Sequence, residues 1–330
     1  MALDFVHLHL HTEYSLLDGV QKIRPILEKL SKDGVKACAI TDHGSMAGVY
    51  EFWATCKEYN IKPIIGCEVY VANRTRFDKT VEHDKKRYHL TLLAKNKEGY
   101  HNLIKLISIA NIEGFYYKPR VDRELLKKYS RGIIVLTGCA SSNLNRYLKH
   151  DEEHKAIEWL SFLKKTFSDV YVELMKTGIP EADALIPKQM ELATRMGFKV
   201  VATCDSHYLN QEDYVIQEIA WCISDGKKLS DPERRQYDST EFFVKTKEEM
   251  NILFKDIPQA IECTTQIADL VEQYSIEFVR VQPKYDTKRN ESETKELLKE
   301  HVYEKWKNRY PKLTKEIKER IEYELKTVNE

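Results

Sequence analysis

The sequence has no excess of charge of either sign: 52 lysines and arginines meet 52 aspartates and glutamates in 330 residues, and the pI is near neutral. The strongly basic footprint of a general nucleic-acid binder is therefore absent. A nucleic-acid substrate stays open, because a metal cluster can itself receive a phosphate. No apolar run reaches the roughly 18 residues of a membrane-spanning helix, so no membrane partner is expected. The N-terminus lacks a basic segment followed by an apolar one, so no secretory leader is expected either. The seven cysteines are odd in number, irregularly spaced and without a CxxC pair. That usage fits a reducing cytosol, and the expected location is cytoplasmic. Histidine is also scarce, at eleven residues, which makes its placement informative.

Three of those histidines fall within five positions. Residues 5–18 read FVHLHLHTEYSLLD, with His7, His9 and His11 alternating with Val6, Leu8 and Leu10. Side chains at i and i+2 of a strand share a face, so the spacing predicts three imidazoles projecting together. Neutral imidazole is the commonest metal ligand among side chains. A His-rich terminus or tag remnant is the bland alternative, and the alternating apolar residues speak against it.

The pattern recurs. KACAITDHG ends on Asp42 and His43, KPIIGCEVYV carries Glu68, and YHLTLLAK opens with His89. GIIVLTGC ends at Cys139, and KVVATCDSHY ends with Asp205 and His207. Each is a short apolar, often β-branched run bearing a metal-ligand residue type. Glu68 and His89 fit least neatly, because they lie inside or at the start of their runs. Stretches of helical periodicity intervene, among them VQKIRPILEKLSKDG, GVYEFWATCKEYN, YHNLIKLISIANIE and ALIPKQMELATRMG.

Seven strands are expected near residues 5–11, 36–42, 63–71, 88–94, 132–138, 170–175 and 199–205. Strand–helix alternation implies parallel pairing and an α/β fold. Seven βα units suffice for a distorted (β/α)7 barrel with its site at the C-terminal strand ends. An open doubly wound sheet is the rival, but it would gather ligands at one switch point. The expected domains are a metal-binding barrel over 1–275 and a linker with the start of a further, truncated domain over 276–330. In that extension, ETKELLKEHVYEKWKNRY and TKEIKERIEYELKTVNE read as amphipathic helices. An ordinary charged helix pair is the plainer reading of them.

The motifs HLHTEYSLLDG, AITDHG, IIGCEVYV, RYHLTLLAKN, GFYYKPRVD and ATCDSHY, in this order, resemble the polymerase and histidinol phosphatase (PHP) domain. KPRVD and HLTLLAKN resemble the branch found at the N-terminus of the bacterial DNA polymerase III alpha subunit. The likeness runs from about residue 4 to the end, and the part after about residue 283 resembles the entry into the polymerase palm. It implies nine metal positions: His9, His11, Asp18, His43, Glu68, His89, Cys139, Asp205 and His207. It also implies two to three divalent transition-metal ions, with Glu68, Asp205 and His207 at the centre of catalysis and Glu68 as a bridge. Imidazole, carboxylate and thiolate donors suit zinc, manganese or iron better than magnesium. The implied partners are a DNA 3′ end, the remainder of the polymerase and its replisome, with this piece monomeric. Polymerase carboxylates would lie beyond residue 330, so the chain by itself would not extend DNA.

Other residues have simpler readings. His7 reads as a barrel-interior residue behind the ligands, and Asp42 as a cap for the following helix. Cys67 and Cys204 are turned away from the cluster by alternation. His83, His101, His150, His154 and His301 read as solvated. Arg74, Arg76, Lys85, Lys86 and Arg87 in one loop, and Lys118 and Arg120 in another, are candidate phosphate contacts, although solvated charge is the commoner meaning of such runs. Three functions follow: a metal-dependent 3′–5′ exonuclease that proofreads for a polymerase, a metal-stabilised structural domain without turnover, or a free-standing phosphatase of the histidinol-phosphate type.

Overall fold

The computed structural model describes residues 3–236, 238–277 and 288–330. The chain divides into two compact units, Met1–Ile276 and Glu277–Glu330. In the first, eight strands form one mixed sheet: β1 (Ala37–Ile40), β2 (Lys62–Ala72), β3 (Arg87–Ala94), β4 (Phe115–Tyr116), β5 (Lys118–Val121), β6 (Ile133–Leu136), β7 (Asp169–Met175) and β8 (Lys199–Thr203). The neighbours run β4-β5-β2-β3-β6-β7-β8, with β1 also on β2. β2 is long enough for two partners on one side. Its first residues pair in parallel with β1, Ala37 opposite Lys62, and its last with β5, Tyr70 opposite Arg120.

Residues 7–11 join the ends of this curled sheet. His7 bridges Cys38 of β1, and Leu10 bridges Ser206 just beyond β8. The amides of Ala39 and Thr41 donate to the carbonyls of His7 and Leu10, and the His11 amide donates to the carbonyl of Ser206. The seam is thus made of isolated bridges and not of a continuous ladder.

The expectation of all-parallel pairing fails at two strands: the two-residue β4, which runs antiparallel to β5, and β3. β3 runs antiparallel to both β2 and β6. Between β2 and β3 the only helix is the four-residue Val81–Asp84, and a parallel return would need a full crossover connection.

Alternation sorts the strand residues. Val6, Leu8, Ala37, Ala39, Ile64, Leu93, Ile134, Leu136 and Val201 share one buried cluster inside the curl, closed below by Ile267 of the helix Pro258–Leu270. Their neighbours Cys38, Ile65, Leu92 and Val135 face outward. There they meet helices such as Ile23–Lys32, which presents Ile23, Ile26, Leu27 and Leu30 at the spacing of one helical face. Each fully buried Leu or Ile contributes roughly 1.5–3 kcal/mol. The second unit contains two helices, Glu291–Lys305 and Lys315–Asn329, N-capped by Asn290 and Thr314. Leu298, Val302, Ile321 and Leu325 line a groove of about 500 Å³ there. Among the described residues no helix is long and apolar enough to cross a membrane.

Candidate metal centre

Above the apolar floor the inward-facing positions turn polar. Ile64 is followed on the same face of β2 by Glu68, Leu93 on β3 by Thr91 and His89, and Val201 on β8 by Thr203 and then Asp205. The reversal of β3 explains the odd place of His89. An antiparallel strand begins where its neighbours end, so a residue at its start stands at the shared mouth. Glu68 lies mid-strand because β2 continues past the mouth, pairing Val69–Ala72 with β3 and β5.

The N-terminal segment contains a one-residue bulge. Its carbonyls at His7 and Leu10, three residues apart, serve amides at Ala39 and Thr41, two apart. An extra residue on one strand shifts everything beyond it to the other face. Val6 and Leu8 therefore point inward with the floor, and His9 and His11 also point inward. His7 does not share their face, contrary to expectation. It packs outside the curl, with Nε2 2.9 Å from the Lys245 carbonyl and Nδ1 3.4 Å from Cys204 Sγ. Burial lowers its pKa to about 4.

The nine expected residues converge at this mouth. His9 Nε2 lies 3.1 Å from His11 Nε2, and Asp205 Oδ1 lies 3.2 Å from both. Glu68 Oε1 is 3.0 Å from His89 Nδ1 and 3.4 Å from Cys139 Sγ, while Oε2 is 2.7 Å from His43 Nδ1. His43 Nε2 is 2.9 Å from Asp18 Oδ2. The His207 ring stacks on His11 with centroids 4.3 Å apart. Three groupings have donor atoms close enough for one ion each: His9/His11/Asp205, His43/Glu68/His89 and His11/His43/His207. Asp18 and Cys139 adjoin them through the contacts just given.

Hydrogen bonds at the back of the rings fix which nitrogen is free. His9 Nδ1 meets Glu173 Oε1 at 2.7 Å, and a carboxylate can only accept. Ser15 donates its hydroxyl proton to Asp42 at 2.6 Å, so it accepts from His11 Nδ1 at 3.0 Å. His207 Nδ1 donates to the Asp205 carbonyl at 2.7 Å. In their neutral, ligand-competent forms all three imidazoles thus turn an unprotonated Nε2 forward. Two such nitrogens 3.1 Å apart cannot hydrogen-bond each other. A cation fits them, since donors at about 2.0–2.1 Å from a tetrahedral ion lie about 3.4 Å apart. Three buried atoms here, His43 Nδ1, Glu68 Oε2 and Asp205 Oδ1, make no well-formed hydrogen bond, although the first two stand only 2.7 Å apart. Buried polar groups are rarely left so, and the donor chemistry is that of a metal centre.

The electrostatics agree. Burial opposes charge on His43, yet Glu68 and Asp18 push its pKa up to about 10. Around His9, the charges of Asp205, Glu173 and Glu68 overcome burial and hold the pKa well above the usual value. His11, buried between His43 and His207, is lowered to about 3. Glu68 stays ionised against burial because His89, His9 and His43 surround it. Burial raises the Cys139 thiol well above its ordinary range. The pocket favours positive charge at its centre.

Sequence reasoning missed the residues that hold the ligands. Glu173 is fully buried on β7, accepts from Gly138 N at 2.8 Å and Thr203 Oγ1 at 2.7 Å, and orients His9. Its signal was a lone carboxylate inside VYVELM. Asp42 is no helix cap: it accepts from the Thr12 amide and hydroxyl and from Ser15, holding the turn that carries His11. The helix after it starts beyond Gly48. Trp221 Nε1 donates to Asp18 Oδ1 at 2.6 Å. Asp205 has φ +50°, a left-handed backbone that Asp tolerates better than most residues.

Three expected phosphate contacts are committed within the fold. Arg120 is fully buried and donates to the carbonyls of Gly114, Asp84, Arg76 and Asp78. Arg76 pairs with Glu113, Asp122 and Glu124. Arg74 grips Asp84. Lys118 is half-buried at the mouth, its pKa lowered by burial and by Arg87. His83, His101, His150 and His154 are exposed, and His301 is half-buried. All seven cysteines are free and buried.

A family model described as the PHP domain matches residues 7–177. The chain is 40% identical over 327 residues to the DNA polymerase III subunit alpha of Borreliella burgdorferi. It is 38% identical over 330 residues to that of Treponema pallidum and 38% over 350 to that of Aquifex aeolicus. These alignments cover 98%, 99% and 100% of this chain but only 28%, 28% and 30% of the relatives. A solved two-domain protein from Bacteroides vulgatus that contains a predicted PHP-like metal-dependent phosphoesterase aligns at 13% identity and TM-score 0.39, covering 79% of this chain and 66% of that one.

Proposed function

Since this chain belongs to the PHP domain family, we propose that its mouth cluster holds two to three divalent transition-metal ions and hydrolyses phosphodiesters, as the 3′–5′ exonuclease of a bacterial replicative polymerase. The observation that carries this is the set of orphaned, buried donors, His43 Nδ1, Glu68 Oε2 and Asp205 Oδ1, among imidazoles whose Nε2 atoms are turned inward. Nine donors are too many for one tetrahedral ion. Ions bound there would cancel phosphate charge, stabilise the departing 3′ oxygen and lower the pKa of water.

The chain's own residues supply the rest. Glu68 offers one oxygen toward His89 and the other toward His43, the posture of a bridging carboxylate. Glu173, Ser15 and the Asp205 carbonyl lock the imidazole tautomers. Asp18, His43 and His89 are the half-buried members and form the side from which a phosphate enters. We assign catalysis to Glu68, Asp205 and His207. The polymerase setting is supported by 40% identity to a DNA polymerase III subunit alpha over 98% of the chain. In that setting residues 1–275 are the metal-binding domain, residues 276–330 lead into the palm, and the partners are a DNA 3′ end and the rest of a cytoplasmic replisome.

The test compares wild type with Asp205→Asn on single-stranded and 3′-mismatched DNA, at low salt with added manganese or zinc. Asparagine tolerates the left-handed backbone, so the fold should survive. The wild type is expected to shorten the strand from its 3′ end, and the variant to be slower by at least about 100-fold, beyond the loss typical of a residue behind the ligands. Equal rates would identify a contaminating nuclease. No turnover by a metal-loaded wild type, in isolation and within the full polymerase, would favour the purely structural reading.

A further inference from the structure

The lip beyond the metal centre carries two cations with no carboxylate partner among the described residues, Arg87 and Lys118. Neighbouring arginines are otherwise committed: Arg74 to Asp84, Arg234 to Glu218, and Arg235 to Asp225. Arg87 differs. Its Nε is buried without a hydrogen-bond partner, and Nη1 reaches only the Lys85 carbonyl, at 3.1 Å. Among the described residues, no carboxylate pairs with Arg87 or Lys118. Both lie against Tyr70, the Arg87 Cζ 5.6 Å and the Lys118 Nζ 5.7 Å from its ring centroid. Tyr70 in turn touches the centre, with ring centroids 5.1 Å from His89 and 5.8 Å from His43.

Strand geometry explains the placement. Arg87 stands two residues before His89 on β3, and Tyr70 two residues after Glu68 on β2, so each continues its ligand's face outward. Two strand residues span roughly 6–7 Å. Lys118 opens β5, the strand that pairs with this projecting part of β2.

We propose that Arg87 and Lys118 clamp a second phosphate, the one next to the phosphate at the metal centre, and so select a polynucleotide chain over a small phosphate ester. Guanidinium suits phosphate because its planar fork can donate two parallel hydrogen bonds, and ammonium adds a compact point charge. A monoester has no second phosphate for this lip to hold. The proposal rests on the hydrolytic reading given above, and two measurements separate their failures.

The first is steady-state hydrolysis by the full chain and its Arg87→Gln/Lys118→Gln variant, with metal content checked on both. KM for an oligonucleotide should rise at least 10-fold, and KM for bis(p-nitrophenyl) phosphate much less. Equal increases on the two substrates would overturn the clamp. The second is binding of a labelled single-stranded oligothymidylate by anisotropy, which needs no turnover and so decides the clamp even if no ester is cleaved. Each lost contact to a single strand flattens the plot of log affinity against log salt by about 0.7, so the double variant should lose about 1.4. Lys118→Gln alone should lose about 0.7, and Arg87→Lys should keep most of the slope. An unchanged slope in the double variant would overturn the clamp. Altered metal content in both glutamine variants would also overturn it, by showing that these residues support the centre instead.

Discussion

Two buried charged networks lie side by side in this molecule, and only one of them is complete. Around Arg76 and Arg120, every guanidinium has its carboxylates or carbonyls, and Asp84 accepts from Arg74 and from the amide and hydroxyl of Thr80. At the mouth, nitrogens and carboxylate oxygens crowd one another at about 3 Å, and three of these buried atoms make no well-formed hydrogen bond. The first network closes on itself and ties loops together. The second closes only with a cation. Both networks pair buried charges, although Arg74, Glu113 and Glu124 at the rim of the first are partly exposed, so charge alone does not distinguish structure from site. The completeness of the partner list does.

The strongest way to break this contrast is to remove cations. Stripping with a chelator should lower stability by about 4 kcal/mol for each ion present at a thousandfold above its Kd, and reloading should restore it. Calorimetry with elemental analysis checks this, and an unchanged melting curve in a demonstrably metal-free chain would remove the need for ions. The closed network should behave oppositely. Arg120→Ala strands several buried carbonyls and should cost about 3–5 kcal/mol in denaturant unfolding while metal content holds. Loss of metal in that variant would mean the networks are coupled.

A smaller effect should come from the residue behind His9. Glu173→Gln keeps the shape but gives His9 Nδ1 an amide in place of a carboxylate, and should weaken metal binding by about 10–100-fold in competition titrations. Affinity equal to wild type would show that Glu173 only fills space. The smallest contrast is one of pH. Arg74 and the Thr80 donors hold Asp84 below its ordinary value of 3.8. Its folded pKa is lowered, so its contribution is complete above that ordinary value and is lost as pH falls below it. The stability gap between wild type and Asp84→Asn should thus be full at pH 5 and narrow toward pH 3. A gap independent of pH would assign the effect to packing.

Much of this was legible in the chain. Six of the seven apolar runs fall on strands and the first, near residues 5–11, on the bridged seam, while the short β4 and β5 went unmarked; the residue types along these runs mark the centre, because alternation and side-chain chemistry are local properties. What was hidden depends on relations between segments. Strand direction is set by the connection: the polar stretch between β2 and β3 holds only the short helix Val81–Asp84, and that shortage was the available sign that β3 turns back. The bulge before His9 was hidden because either register leaves an apolar residue or a histidine at each place. Arg120 was misread because a cationic loop looks the same whether its carbonyl acceptors are protein or its partner is phosphate. Glu173 was overlooked because it sits in the one apolar run that no motif marked.

The bulge carries a further consequence for how this segment can drift over generations. It lets Leu8 complete the floor and His9 begin the cluster from adjacent positions, which a regular strand would send to opposite sides. An exchange of one side chain there alters one contact. Loss of a single codon at Leu8 would straighten the ladder between His7 and Thr41, keep every histidine in the sequence, and leave a hole beneath them. What this stretch of the gene must preserve is a residue count as much as an alphabet, and reading-frame-neutral deletions are the changes it can least absorb.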